Sequence, residues 1–248
     1  MCVSVTVIWM NIVNLFSDHN RGGRQKVGAI IVAAGKSIRM MGRDKIFHSL
    51  LGKPVIAYTV TPFERCLAVS EIVLVTHETS VEDCLKTIEH EGWTKVVGVC
   101  EGGDMRQDSV RAGLGSLSSC EWVIIHDGAR PCVTEDMIEL ALEEARFTGV
   151  SVPALPVTDT VKRVEDGFVL ETIQRDDLRT IQTPQVFRSG IISEAYAGDI
   201  YGVTDDSSLV ERLGYSVRIF QGSEENIKIT TPKDLDVAEA ILRRRLGS

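Results

Sequence analysis

The sequence predicts an α/β protein with a doubly wound, mostly parallel sheet and one inserted β-hairpin arm. Short β-branched runs alternate with helical patterns along the chain, and most of these runs are almost continuously apolar. Strands that are buried on both faces have such runs, and their alternation with helices is typical of a parallel sheet covered by helices. Two strand-like segments around Asp166-Gly167 break the alternation and predict the hairpin.

The individual elements follow from these patterns in chain order. Strands are expected at 28–33, 71–76, 95–99, 122–126, 150–155 and 216–220. Helices are expected at 54–67, 81–90, 106–117, 135–148, 189–197, 207–213 and 232–246. The last helix has a clear start signal, because Thr231 suits the N-cap and Pro232 the first helical position.

The predicted hairpin covers residues 160–173. Its pattern fits an edge hairpin of the main sheet, and it fits equally an arm that reaches a partner subunit.

The length of 248 residues suits one large domain. We therefore predict a single domain over 27–248, with the arm at about 157–178, and an N-terminal extension over 1–26. The extension lacks the basic start of a signal peptide, and Asn11 and Asn14 interrupt its apolar run.

Composition argues against several classes of partner. The formal net charge is −8, from 27 Lys and Arg against 35 Asp and Glu, so nucleic acid and anionic membranes are not expected partners. The six cysteines form no C-x-x-C pair and cluster with no histidine, which argues against a protein-ligated metal and against a disulfide framework. Reduced thiols predict a cytoplasmic protein.

Small and basic residues follow the first predicted strand. Ala33, Ala34 and Gly35 allow backbone N–H groups to approach a phosphate or a base edge. Four cations then stand within ten residues, a density that suits a triphosphate: Lys36, Arg39, Arg43 and Lys45. A solvated basic turn is the alternative. A P-loop is excluded because Ile30 occupies the position of its first glycine, and a dinucleotide fingerprint is excluded because Ser37 and Met40 replace two glycines.

Two further motifs follow later strands. Gly102 and Gly103 permit a tight turn into a helix, where Asp104 suits either a ribose contact or a helix N-cap, and Ser109 suits a base edge. Residues 126–131 (HDGARP) place Asp127 three positions before Arg130. This pair suits a phosphate or metal-phosphate site, or a local ion pair.

Together these motifs resemble those of the 2-C-methyl-D-erythritol 4-phosphate cytidylyltransferase family. The shared motifs occur in the family's order over about residues 27–246: A-A-G-x-x-x-R-M at 33–40, K-P at 53–54, G-G-D-x-R-x-x-S-V at 102–110, H-D-G-A-R-P at 126–131, D-T-V-K at 159–162, T-P-Q at 183–185 and N-I-K-I-T at 226–230. The resemblance implies a sheet of the nucleotide-diphospho-sugar transferase type. It also implies transfer of a cytidylyl group from CTP to methylerythritol phosphate.

The resemblance assigns a role to each matching residue. Nucleotide binding falls to Ala33, Ala34, Gly35, Gly103, Asp104 and Ser109. Catalytic charge stabilisation falls to Arg39, Lys45, Arg175 and Lys228. Acceptor binding falls to Asp127, Arg130, Thr160, Thr183 and Thr204. The resemblance also implies Mg²⁺ bound mainly through the CTP phosphates, and a homodimer in which the arm brings Thr160 and Arg175 to the neighbour's site.

Three other functions remain as alternatives at this point. A cytidylyltransferase for another polyol phosphate, such as ribitol 5-phosphate, keeps the chemistry and changes the acceptor. A nucleotide-binding protein without turnover keeps the fold, although Arg39, Lys45 and Lys228 argue for catalysis. An NAD-dependent oxidoreductase is disfavoured by the missing glycines.

Overall fold

A computed structural model of the chain describes residues 25–35 and 45–247. The predicted extension up to residue 24 and the predicted cations Lys36, Arg39 and Arg43 lie outside these residues. The helices are α1 (Val55–Arg65), α2 (Val81–Glu91), α3 (Arg106–Ser116), α4 (Glu135–Thr148), α5 (Ser189–Ala197), α6 (Asp206–Arg212) and α7 (Pro232–Leu246). The strands are β1 (Val27–Val32), β2 (Ser49–Leu50), β3 (Lys53–Pro54), β4 (Glu71–Thr76), β5 (Val96–Glu101), β6 (Trp122–Asp127), β7 (Val150–Pro156), β8 (Val161–Glu165), β9 (Phe168–Ile173), β10 (Arg179–Ile181), β11 (Gln185–Arg188) and β12 (Arg218–Gln221).

The main sheet has eight strands and is mostly parallel, which confirms the predicted fold class. β5, β4, β1 and β6 are parallel neighbours in that order. β11 pairs antiparallel with β6 and with β7, and β12 lies parallel to β7. β10 and β11, together with the pair β2–β3, were not expected from the sequence. They are short, and their strand conformation depends on partners distant in the chain.

Helices cover both faces of the sheet because side chains along each strand alternate between two apolar clusters. Ile31 of β1 packs in one cluster with Ile56 of α1 and Ile138 of α4. Ile30, one residue earlier, packs in the other cluster with residues of α3, α5 and α6, among them Val110. Each fully buried side chain of this size contributes about 1.5–3 kcal/mol to folding. No helix among the described residues is long and apolar enough to cross a membrane.

The predicted hairpin forms a two-stranded sheet of its own, β8–β9, separate from the main sheet. Its turn requires a left-handed backbone at Asp166 (φ 48°) and Gly167 (φ 83°), which explains the Asp-Gly pair. Both strands are largely exposed, including the apolar side chains of Val164 and Phe168, which are 61% and 75% exposed. The edge-hairpin alternative is therefore wrong, and the apolar surface of the arm is left without a partner among the described residues of this chain.

Candidate active site

The carboxyl ends of β1, β5 and β6 meet around a cavity of about 330 Å³. Val32 and Asp127 are register partners, and Gly128 N donates to Val32 O at 2.8 Å, so the ends of β1 and β6 lie level. The cavity is lined by residues from all three strand-end motifs and by Lys228 from the segment before α7; the motif residues are Ala33, Ala34, Gly35, Lys45, Gly103, Asp104, Ser109 and Asp127. The fold therefore brings small residues, two lysines and two carboxylates to the edge where open α/β sheets bind ligands.

One side of the cavity is formed by a close approach of the β1 and β5 ends. A Cβ on Gly102 would lie 2.3 Å from Ala34 Cβ and 2.6 Å from Ser109 Oγ, so only glycine fits there. Asp104 is not the N-cap of α3, because Met105 has that position and its N–H donates to Asp108 Oδ2 at 3.3 Å. Asp104 lines the cavity instead.

Asp127 stands among three cations on the opposite side. Arg106 Nε donates to its Oδ1 at 3.2 Å, while Lys228 Nζ lies 2.9 Å and Arg130 Nε 3.5 Å from its Oδ2. Burial opposes ionisation of this carboxyl, but the cations, Arg106 foremost, outweigh it and hold the pKa of Asp127 far below its usual range. The carboxylate is therefore ionised at neutral pH and orients the cations around it.

Both cavity lysines meet the same loop before α7. Lys45 Nζ donates to the Ile229 carbonyl at 3.1 Å, directly after Lys228 in the chain. Ile229 N donates in turn to the Ala129 carbonyl at 2.8 Å, which fixes this loop against the segment that follows β6. The Lys228 side chain remains 39% exposed, so it can meet an anion from solvent.

Two predicted acceptor residues lie behind Asp127 and outside the described lining of the cavity. Arg130 is 9% exposed, and its Nη1 donates to the Asn226 carbonyl at 2.7 Å. The Thr183 hydroxyl accepts from Asp127 N at 3.1 Å and lies 3.0 Å from His126 Nδ1. In the structure these side chains contact the protein itself and fix the backbone that carries Asp127 and Lys228.

His126 is fully buried in β6, as expected for a packing residue rather than a catalytic base. Burial lowers the pKa of His126 to about 3, with the nearby Arg130 cation adding to the effect and the Asp127 carboxylate opposing it. The neutral ring contacts Phe63 at 5.1 Å between centroids. This histidine therefore carries no charge at neutral pH and joins β6 to Thr183.

Thr160, Arg175 and Thr204 are not among the described residues that line the cavity. Thr160 and Arg175 are exposed at the base of the β8–β9 arm, where Arg175 Nη1 donates to the Thr158 carbonyl. Thr204 is exposed in the loop before α6. Arg39 lies outside the described residues, so its predicted role stays a prediction.

Arg106 lines the cavity but was not among the predicted site residues. Besides Asp127 it binds Asp206, at 2.8 Å between Nη1 and Oδ2. Its place in the G-G-D-x-R motif at 102–106 was a usable signal. The partner Asp206, however, lies 100 residues away in sequence.

No group of three or more His, Cys, Asp or Glu side chains suited to a metal ion occurs among the described residues. Of the two carboxylates at the cavity, Asp127 has both oxygens engaged by cations. A divalent ion at this site therefore fits only if its ligands come mainly from a bound nucleotide's phosphates; Asp104 is the second carboxylate of the cavity wall.

A mostly parallel sheet with a small-residue motif after β1, and with Lys45 and Lys228 at the same edge, is the arrangement expected of a nucleotidyltransferase. The family model of 2-C-methyl-D-erythritol 4-phosphate cytidylyltransferase matches residues 27–244, and the chain belongs to this family.

Curated relatives agree over most of their length. A 2-C-methyl-D-erythritol 4-phosphate cytidylyltransferase of Dehalococcoides mccartyi (strain CBDB1) is 48% identical over 221 residues, which cover 89% of this chain and 97% of the relative. The enzyme of the same name from Alkaliphilus oremlandii is 45% identical and covers 89% of this chain and 96% of its own length.

Solved structures of related enzymes have the same fold. The 4-diphosphocytidyl-2C-methyl-D-erythritol synthase of Anaerococcus prevotii superposes with a TM-score of 0.79 at 30% identity, over 90% of this chain and 100% of that one. The 2-C-methyl-D-erythritol 4-phosphate cytidylyltransferase of Thermus thermophilus gives a TM-score of 0.68 at 29% identity, over 86% of this chain and 98% of that one.

Proposed function

We propose that this protein transfers a cytidylyl group from CTP to 2-C-methyl-D-erythritol 4-phosphate, forming 4-diphosphocytidyl-2-C-methyl-D-erythritol and releasing pyrophosphate. Membership of the family supports the substrates. The single structural observation that carries the proposal is the cavity itself, where Lys45 and Lys228 face a wall of small residues at one sheet edge. Such a cavity suits a nucleotide on the small-residue side and phosphates beside the lysines.

The nucleotide is assigned to the β1 and β5 side. Ala33, Ala34 and Gly35 offer backbone groups to the base and ribose, and Gly103 continues this surface after β5. We assign Asp104 to accept hydrogen bonds from ribose hydroxyls and Ser109 to read the edge of the cytosine; both line the cavity. The close packing of Gly102 on Ala34 supports this assignment, because it holds the two halves of the nucleotide surface together.

The acceptor is assigned to the β6 side. Lys228 binds its phosphate, and Asp127 accepts from its hydroxyl groups while holding Lys228 in place. Arg130 and Thr183 act in this assignment through Asp127 and the 226–229 loop. Thr204, which is exposed beside the N-terminus of α6, stays a predicted contact of the acceptor.

The chemistry is an in-line attack of an acceptor phosphate oxygen on the α-phosphorus of CTP. The nucleophile is already an anion at neutral pH, so no general base is needed and catalysis rests on alignment and charge stabilisation. Lys45, together with Arg39, is assigned to the charge that builds on the α-phosphate. Mg²⁺, if bound, would be held mainly by the nucleotide's phosphates and would add to the charge neutralisation that the lysines provide.

The arm supports a homodimer in which each subunit completes the other's site. Four apolar side chains of the arm are more than half exposed: Val164, Phe168, Val169 and Leu170. A second copy of the chain that covers them would carry Thr160 and Arg175, at the base of the arm, towards the neighbouring cavity. Arg175 is assigned to the acceptor phosphate in trans. A cytoplasmic location also stays a prediction, from the cysteine pattern.

Trans action is tested by mixing two inactive variants. Arg175→Ala and Lys45→Ala subunits, differently tagged and purified as heterodimers, restore one intact site in two and should regain part of the wild-type activity. Absence of recovery in verified heterodimers contradicts trans action.

The substrates are tested by offering each of the four nucleoside triphosphates with methylerythritol phosphate, and CTP with ribitol 5-phosphate. We expect pyrophosphate release and a CDP-linked product chiefly from CTP with methylerythritol phosphate. Equal or faster turnover of ribitol 5-phosphate would assign a different acceptor. Binding of CTP without pyrophosphate release from any pair would leave a nucleotide-binding protein and overturn the proposed function.

A further inference from the structure

Arg106 connects the cavity to Asp206, a buried carboxylate to which no function has been assigned so far. Its guanidinium forms two ion pairs at once, with Asp127 at 3.2 Å through Nε and with Asp206 at 2.8 Å through Nη1. Asp206 is 1% exposed, so its charge is removed from water and depends on its partners. The two pairs hold the guanidinium plane in one orientation.

Asp206 is itself held from the opposite side. The Tyr196 hydroxyl of α5 donates to Asp206 Oδ1 at 2.6 Å, which leaves Oδ2 for Arg106. The N-terminus of α6 is tied to β11, because its N-cap Asp205 accepts from Gln185 Nε2 at 2.8 Å. Asp206 is therefore a fixed point in the core rather than a mobile surface acid.

These contacts form one row of polar groups: Tyr196, Asp206, Arg106, Asp127 and Lys228. The row begins between α5 and α6 and ends at the ammonium group that faces the cavity. Arg106 is also the first residue of α3, two positions after Asp104 and three before Ser109. One side chain thus joins the nucleotide side of the cavity to the acceptor side.

We propose that Arg106 is a positioning residue, which uses the buried Asp206 and Tyr196 to set the Asp127 carboxylate and, through it, Lys228 for the acceptor phosphate. This inference rests on the proposed function for the identity of the acceptor. It assigns to Asp206 and Tyr196 a function in catalysis without contact with either substrate.

The geometry explains why the position needs arginine. A planar guanidinium presents separate N–H groups to two carboxylates in fixed directions, whereas a lysine ammonium is a single point charge on a flexible stem. Lysine at 106 can satisfy Asp127 or Asp206 but does not hold both in one plane. Oδ1 of Asp127 then lacks a bond that orients the carboxylate, and Lys228 is no longer held in one position by its partner.

The mildest test removes one oxygen at the far end of the row. Tyr196→Phe deletes the bond to Asp206 and leaves every cavity residue unchanged. Tyr215→Phe is the control, because it removes a tyrosine hydroxyl that donates to a carboxylate, Glu194, at 2.8 Å in an exposed bond outside this row. Steady-state kinetics are measured for both substrates, and melting temperatures for all proteins.

We expect Tyr196→Phe to raise KM for methylerythritol phosphate by about 3–10-fold, with KM for CTP within about twofold of wild type. Arg106→Lys should lower kcat/KM for the acceptor by about 30–300-fold, and adding Tyr196→Phe to it should cost little more, since the row is already broken. Tyr215→Phe should match wild type.

Two results would overturn the proposal. One is a folded Tyr196→Phe enzyme with acceptor KM and kcat unchanged. The other is an equal loss for both substrates that follows the melting temperature, which indicates a merely structural role.

A crystal structure of Tyr196→Phe gives a readout that does not depend on turnover. The proposal expects the Arg106–Asp127 or Asp127–Lys228 contact to lengthen beyond hydrogen-bonding distance or to occupy alternative positions, and unchanged contacts would contradict it. An inactive wild-type protein would defeat the proposed function, while this comparison would still decide whether the row positions Lys228.

Discussion

His126 should make the free energy of unfolding of this protein depend on pH. The ring is fully buried in β6, and its pKa in the folded protein is about 3, whereas an unfolded histidine titrates near 6.5. As the pH falls below about 6.5, His126 is protonated in the unfolded chain but stays neutral in the folded chain. Stability contributed by the neutral ring is therefore present above pH 6.5 and is lost progressively as the pH falls towards 3.

The magnitude follows from the separation of the two pKa values. Each pH unit below 6.5 removes about 1.4 kcal/mol, so at pH 5 the loss from His126 is about 2 kcal/mol. That is a large share of the roughly 5–15 kcal/mol that stabilises a typical domain. The loss levels off near pH 3, where the folded protein also takes up the proton.

Urea unfolding at pH 7.5, 6.5, 5.5 and 5.0, followed by tryptophan fluorescence, measures this pH dependence. His126→Gln cannot titrate, so its stability should fall less with pH, and its deficit relative to wild type should shrink by about 2 kcal/mol between pH 7.5 and 5. Other titrating groups are common to both proteins and cancel in the difference. His90→Gln, at an exposed position on α2, is the control and should follow the wild-type profile.

Parallel pH profiles for wild type and His126→Gln would refute this reasoning. If the variant does not fold, NMR titration of the wild-type imidazole replaces it. The expected result is a neutral His126 ring at pH 5, and a ring that is mostly protonated there would contradict the burial argument.

Three further predictions concern the cavity and the arm. Lys45→Ala should lower kcat by about two to four orders of magnitude while the melting temperature is retained. Lys53→Ala, which removes a lysine paired with Glu91, is the control and should keep the wild-type kcat. Equal kcat values for the two variants would contradict the role assigned to Lys45. Gly102→Ala should raise KM for CTP at least about tenfold, because its methyl group forces Ala34 and Ser109 apart, whereas Gly115→Ala on α3 meets no atom within 4 Å and should keep wild-type KM. Phe168→Ser should shift the protein towards monomer in light scattering and lower activity in proportion, and an unaltered dimer would exclude this side chain from the interface.

Elements whose local pattern agrees with their burial were predictable from the sequence. β4 is apolar from Ile72 to Val75 and was placed at its observed bounds, as was α4, which has Thr134 as its N-cap and Gly149 in a left-handed conformation at its end. Local propensity and tertiary packing favour the same structure in these segments. The strand-end motifs were predictable for a related reason, because parallel strands bring their carboxyl ends to one edge.

Features that depend on distant partners were not predictable. β11 is only Gln-Val-Phe-Arg, and its strand state comes from pairing with β6 and β7. Arg106 stands in a glycine-rich motif that gives no sign of its ion pair with Asp206. Arg130 matched an anion-binding pattern, yet its Nη1 donates to the Asn226 carbonyl at 2.7 Å. In each case the decisive contact joins residues that no local pattern relates.

The acidic net charge of −8 does not conflict with a site for two anions, because the field in the cavity is set locally. Exposed charges farther away than about 8 Å are largely screened at physiological salt, while buried pairs are not. Asp127 is surrounded by Arg106, Arg130 and Lys228, so this group has a surplus of positive charge even after Asp206 is counted against Arg106. Lys228, whose side chain is 39% exposed, presents that surplus at the wall where two phosphates must approach each other. The acidic remainder of the surface has little influence on that wall, and the group around Asp127 sets the charge on that side of the cavity.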